Sequence, residues 1–154
     1  MPQFSTKRRV QHSASDMFDL VADIESYPEF VPMCSAMHVR SQTDKGGGAT
    51  VLVAAMTVAY KMIHQTFTSR ATLDKPNQKI LVEYLDGPFR HMQNRWAFHP
   101  TGQQSCEVEF FIEYEFKSRT LAMLMGTLFD TVFRRMAAAF EKRADVVYGR
   151  KRVS

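Results

Sequence analysis

Cysteine is scarce in this sequence. Cys34 and Cys106 stand alone, with no second cysteine or histidine at ligand spacing. That argues against a disulfide-built scaffold and a thiolate metal knuckle, and predicts two reduced, buried thiols in a cytosolic protein. Long apolar runs are missing too: none reaches the roughly eighteen residues that a membrane span needs. Glycine is sparse, and the triplet Gly46-Gly47-Gly48 matches neither a P-loop nor a dinucleotide fingerprint; it reads as a hairpin turn beginning at Asp44. The first nine residues are basic without an apolar stretch behind them, so no secretory signal is expected. The five histidines, His12, His38, His64, His91 and His99, are scattered, and none neighbours a nucleophile or an acid in a recognisable pattern. No catalytic set, metal cluster or covalent cofactor is therefore expected, and a histidine on a strand's outward face reads as a surface residue.

Proline is absent from Arg119 to Tyr148, and this stretch reads as one helix of about 45 Å at 1.5 Å per residue. Leu121, Leu124, Leu128, Val132, Met136, Ala139, Phe140 and Val147 recur at spacings of three and four, which predicts a shared apolar face. Ser118 or Thr120 can cap its start, and Gly149 sits where a C-terminal cap belongs. Met123, Met125, Phe129 and Phe133 widen the stripe in the first half. A helix apolar on more than one side packs on more than one side, or meets a ligand or partner. Methionine, ten in all, is the adaptable filler of such surfaces.

The rest of the chain is mostly strand. Gln3 to Gln11 is a first strand, followed by a short helix after Ser13 with Met17, Leu20, Val21 and Ile24 on its inner side. Pro28 and Pro32 allow only another short helix before the next strand. Five further strands are predicted from Met37, Ala49, Met62, Lys79 and Arg90. The clearest strand is the last, in which Cys106, Val108, Phe110, Ile112, Tyr114 and Phe116 alternate with Glu107, Glu109, Phe111, Glu113, Glu115 and Lys117. Its glutamates read as a solvated face paired with cations on a neighbour such as Arg95. Consecutive strands joined by tight turns should be antiparallel. The expectation is an α+β fold in which a curved antiparallel sheet of six to seven strands wraps the long helix and leaves an apolar cavity. At 154 residues it is expected to form one domain, 1–154.

Charge is uneven. The formal net charge is +4, and residues 134–154 carry seven basic residues against Glu141 and Asp145. A basic end suits an anionic membrane surface or RNA phosphates, and equally a solvated helix end. No DNA partner is expected.

Three stretches carry a family resemblance. They are Val21 to Cys34 (VADIESYPEFVPMC), Gly87 to Phe98 (GPFRHMQNRWAF), and Val108 to Lys117 (VEFFIEYEFK) continuing into Phe140 to Ala144 (FEKRA). Together they resemble the coenzyme Q-binding branch of the START-like helix-grip fold, a branch shared with the bacterial ribosome-association toxin and with proteins called oligoketide cyclases. The resemblance spans nearly the whole chain. Met33 stands where many relatives carry an aromatic, a departure expected to alter cavity shape.

The resemblance implies a carrier of a polyprenyl quinone, ubiquinone, supporting respiratory electron transport without catalysis. The isoprenoid tail would lie between helix and sheet. Its walls are expected from Phe67, Trp96, Phe98, Phe110, Ile112, Tyr114, Leu128, Phe129, Val132 and Met136, with Tyr27, Phe30 and Met33 near the mouth. Tyr114 and Arg95 are candidate donors to the headgroup. The expected location is cytoplasmic, peripheral to the inner membrane, with the helix start and basic tail touching anionic lipid. The alternatives are a toxin that binds the ribosome and blocks subunit joining, and a cyclase or dehydrase enzyme.

Overall fold

The chain starts on one edge of a sheet and crosses to the other before any hairpin forms. In a computed structural model, which describes residues 3–60 and 63–149 without the side chains of residues 125–128 and 130, β1 is Gln3–Val10. Helix α1 (Ala14–Ala22) and a 3-10 helix (Ile24–Glu29) then carry the chain to β2 (Cys34–Gly46) on the far edge. Ser13 caps α1 by accepting the Asp16 N–H at 3.1 Å, and Ala14, Met17, Phe18, Leu20 and Val21 bury its inner side. From β2 the chain returns by hairpins: β3 (Ala49–Tyr60), β4 (Ile63–Asp74), β5 (Lys79–Asp86), β6 (Phe89–Gly102) and β7 (Ser105–Phe116). The seven strands run β1-β7-β6-β5-β4-β3-β2, and every pairing is antiparallel.

Helix α2, Arg119–Tyr148, closes the concave side. Ser118 is its cap, accepting the Leu121 N–H at 3.2 Å. Residues 129, 133, 136, 140 and 144 form the face it turns to the sheet, and Phe133, Phe140 and Ala144 are buried. This stripe corrects the predicted one: Leu124 is 61% and Val147 49% exposed. The large aromatics Phe129 and Phe133 set the helix rotation, because burying them removes more apolar area from water than burying Leu124 would.

The outer face of the sheet brings a second correction. Arg95 does not pair with a glutamate; its guanidinium lies over the Phe111 ring at 4.4 Å. The histidines on β6 take the acids instead, His91 Nε2 standing 3.1 Å from Glu113 Oε1 and His99 Nε2 3.0 Å from Glu109 Oε2. The register explains this: Arg95 lies opposite Phe111, whereas Gln93 and Ala97 face Glu113 and Glu109, leaving each acid open to a histidine one diagonal away. His12, just past the end of β1, is the buried histidine among the described residues. It is 1% exposed, with Nε2 2.7 Å from Asp145 Oδ1. Cys34 and Cys106 are free and buried, as predicted.

Candidate ligand cavity

Period-two alternation aims one side of each central strand at α2. On β6 the inward residues are Met92, Asn94, Trp96 and Phe98, all buried; on β7 they include Phe110, Ile112 and Tyr114. Between them and the helix the packing is incomplete. One lobe of about 140 Å³ is bounded by Ile24 and Tyr27 of the 3-10 helix, by β2 to β7, and by Phe133, Met136 and Phe140 of α2. A second, of about 90 Å³, lies between the Val31–Cys34 segment, the sheet, and Phe129, Val132, Phe133 and Met136. Met56, Phe67, Met92, Ile112, Phe133 and Met136 line both lobes and so form the partition between them. Three of these six are methionines, whose unbranched side chains repack at little cost. A ligand that turns them aside would join the two lobes.

Most of the predicted walls are present. Tyr27, Trp96 and Phe110 line the larger lobe; Met33, Tyr114, Phe129 and Val132 line the smaller; Phe67, Ile112 and Met136 line both. Leu128 belongs to α2, but its side chain lies outside the described residues. Two predictions fail. Phe98 stacks on Trp96 and meets Phe18 of α1 edge-on at 5.9 Å, so it supports the wall from behind. Phe30 packs edge-on against Phe140 at 5.1 Å, with the Arg143 guanidinium 5.2 Å over its ring. It pins the helix to the 3-10 segment instead of facing the cavity.

The polar groups on the wall are few. Tyr27 donates its hydroxyl proton to the Val21 carbonyl at 2.5 Å. Burial pushes its phenol far above the usual range, with the neighbouring Cys34 and Asp23 adding to the effect, so Tyr27 stays a neutral donor. Burial likewise pushes the Cys34 thiol up to about 11, although a backbone hydrogen bond with Ala36 acts in the opposite sense. Asn94 donates from Nδ2 to the Phe111 carbonyl and accepts the Trp96 indole N–H at Oδ1, both at 2.9 Å. Ser69 completes the set on the larger lobe. No histidine, acid, lysine or arginine is among the described lining of either lobe. Arg95, on the outer face over Phe111, is on the lining of neither lobe.

Ser69 and Asn94 are not among the predicted site residues, yet the pattern marks both. Ser69 falls between Phe67 and Ala71 on the inward face of β4, and Asn94 between Met92 and Trp96 on that of β6. A polar residue inside an apolar period-two face is the signal. Met33 carries a different one: it is a non-glycine at φ 65°, held there as its carbonyl accepts the Ala59 N–H at 2.9 Å. Strained backbone of this kind gathers at ligand-facing segments.

A curved antiparallel sheet gripping a long helix over an apolar cavity is the START-like fold. The chain belongs to the family described as polyketide cyclase/dehydrase and lipid transport, whose pattern matches residues 10–141. The ribosome association toxin RatA of Escherichia coli (strain K12) is 36% identical over 148 residues, covering 96% of this chain and 90% of that one. The mitochondrial coenzyme Q-binding protein COQ10 homolog B of Xenopus laevis is 32% identical, covering 98% of this chain and 61% of the relative. Among solved structures, the 18 kDa protein CC1736 of Caulobacter crescentus superposes with a TM-score of 0.80 at 30% identity, covering 97% of this chain and 100% of that one. The family's description spans both enzymes and lipid carriers, so its membership leaves the choice to the site.

Proposed function

We propose that this protein binds a polyprenyl quinone, ubiquinone, between sheet and helix and acts as its carrier in respiratory electron transport. The observation that carries this is the two-lobed apolar cavity with a methionine partition. Its lobes, about 140 and 90 Å³, are smaller than the roughly 300–1,000 Å³ of a typical ligand pocket. The free form thus suits an apolar guest that opens the partition as it enters. Burial of a hydrocarbon chain supplies about 0.8 kcal/mol per CH₂, so affinity comes from the tail and orientation from a few polar groups. The relative named for coenzyme Q binding supports the choice of guest.

The carrier would load at an anionic bilayer. Met123 is 86% exposed and Leu124 61% on the first turns of α2, with Lys117 and Arg119 exposed beside them. Apolar side chains flanked by cations suit an anionic lipid surface. Arg150, Lys151 and Arg152 of the basic tail lie outside the described residues. No helix among the described residues is long and apolar enough to cross a membrane, so contact would be peripheral. Co-sedimentation with anionic vesicles should fall with added salt and in Met123→Ser/Leu124→Ser.

Solvent extraction and mass spectrometry of gently purified protein tests the guest itself. A stoichiometric polyprenyl quinone, or uptake of added quinone, is expected, and Val132→Trp should abolish it by filling the smaller lobe. Failure to bind either endogenous or added quinone would overturn the proposal. A second reading rests on the 36% identity to the toxin relatives: association with ribosomal subunits. Sedimentation of subunits with and without the protein separates the two, since a pure quinone carrier leaves subunit joining unchanged.

A further inference from the structure

The two lobes differ in polarity, and that difference orients a ligand. The larger lobe holds the Ser69 hydroxyl and the Asn94 amide in an otherwise largely apolar wall. Asn94 uses one of its two N–H groups on the Phe111 carbonyl and one lone pair on the Trp96 indole. One N–H and one lone pair remain. The Ser69 hydroxyl makes no hydrogen bond among the described residues. Ser69 is on β4 and Asn94 on β6, with β5 between them, so the two approach a guest from separated points of one wall. The smaller lobe offers side chains of another kind: Val31, Met33, Val58, Phe129 and Val132.

We propose that a ligand enters with its head in the larger lobe, where Ser69 and Asn94 donate to head oxygens, and that its chain leaves through the smaller lobe past Met33 and Val132. This rests on the quinone reading above. A head placed in the smaller lobe would give up its hydrogen bonds to water with only Tyr114 and the Cys34 thiol, which already donates to the Ala36 carbonyl, to replace them, while the tail would cover two polar groups left unmatched. Each unmatched polar group is a penalty. Two donors spaced across one wall suit a ring bearing carbonyl oxygens at opposite positions, as a 1,4-quinone does. They suit a bare isoprenoid no better than any other surface. Asn94 thereby has two duties, fixing the Trp96 indole and reading the head.

The probes are ubiquinone with two isoprenoid units and a plain isoprenoid hydrocarbon of similar length, titrated into wild type, Ser69→Ala and Tyr114→Phe. Ser69→Ala should weaken the quinone roughly three- to tenfold, as the loss of one hydrogen bond does, and leave the hydrocarbon unchanged. Tyr114→Phe should cost the quinone less than Ser69→Ala does. Intermolecular NOEs should connect the ring substituents of the quinone to Met92 and Ala71, and the tail methyls to Met33 and Val132. If both probes bind but the NOEs run the other way, or Tyr114→Phe costs affinity while Ser69→Ala does not, the orientation is overturned and the carrier reading stands. If neither probe binds, both fall.

Discussion

His12 and Asp145, 133 residues apart in the chain, meet with Nε2 and Oδ1 separated by 2.7 Å. The contact ties the segment after β1 to the last turn of α2, with the Tyr148 ring 6.2 Å from the imidazole. His12 Nδ1 is buried without a hydrogen-bond partner among the described residues, so Nε2 carries the hydrogen-bonding role. Asp145 is partly exposed and can turn to water, whereas His12 cannot. His12→Ala should therefore destabilise the fold by about 2–4 kcal/mol through a void and a lost hydrogen bond. Asp145→Asn should cost less. Urea unfolding measures both, and an His12→Ala variant as stable as wild type would contradict the latch.

Phe140 is the keystone of the helix seat. Its ring meets those of Tyr27, Phe30 and Trp96 at 5.1–5.3 Å, each near edge-on. Phe140→Ala should lower stability by about 3–5 kcal/mol. Tyr27→Phe, which removes only the hydrogen bond to Val21, should cost about 0.5–1.5 kcal/mol. Thermal unfolding of the two variants checks this order; the reverse order would mean that Tyr27 anchors the helix and Phe140 merely fills space.

Gly87 brings the β5–β6 turn against the cavity wall. Its φ is +142°, and a Cβ there would stand 2.6 Å from the Phe67 Cβ and 2.9 Å from its Cα. Phe67 cannot yield without moving β4, because its backbone is one of the clashing atoms. Gly87→Ala should destabilise by about 1–3 kcal/mol from backbone conformation alone, with the clash added. It should also displace Phe67, which lines both lobes, and so weaken quinone binding. Normal stability together with normal binding would refute the close approach.

Cys34 and Cys106 share a pH signature. Burial pushes each thiol up to about 11 in the fold, against about 8.5 in an unfolded chain. The folded form holds the proton more tightly. Its stabilising effect is fully present below the unfolded value and is lost as pH rises through about 11. Alkylation of native protein at pH 8 should accordingly be slow and become rapid on unfolding. Fast labelling of native protein at pH 8 would show the thiols to be accessible thiolates.

Much of the architecture was legible from local pattern. Period-two alternation in β7 and an unbroken helical stretch from Arg119 to Tyr148 state their own conformations, because each residue's side is set by backbone geometry. Strand boundaries were less so: β2 begins at Cys34 and runs to Gly46 through three register shifts that the period does not announce. Ten of the predicted cavity residues line the lobes. Phe30 and Phe98 did not, since an apolar residue on an inward face packs against either a void or a neighbour, and sequence alone does not distinguish them.

The sequence by itself determined the elements, the antiparallel order of hairpins and the family, all of which depend on near neighbours or on whole motifs. Only the tertiary structure decided the rotation of α2, the burial of His12 against Asp145, and the meeting of Ser69 and Asn94 on one lobe. These join residues far apart in the chain. The shape of the filled and unfilled space between sheet and helix settles them, through long-range packing that no local periodicity encodes.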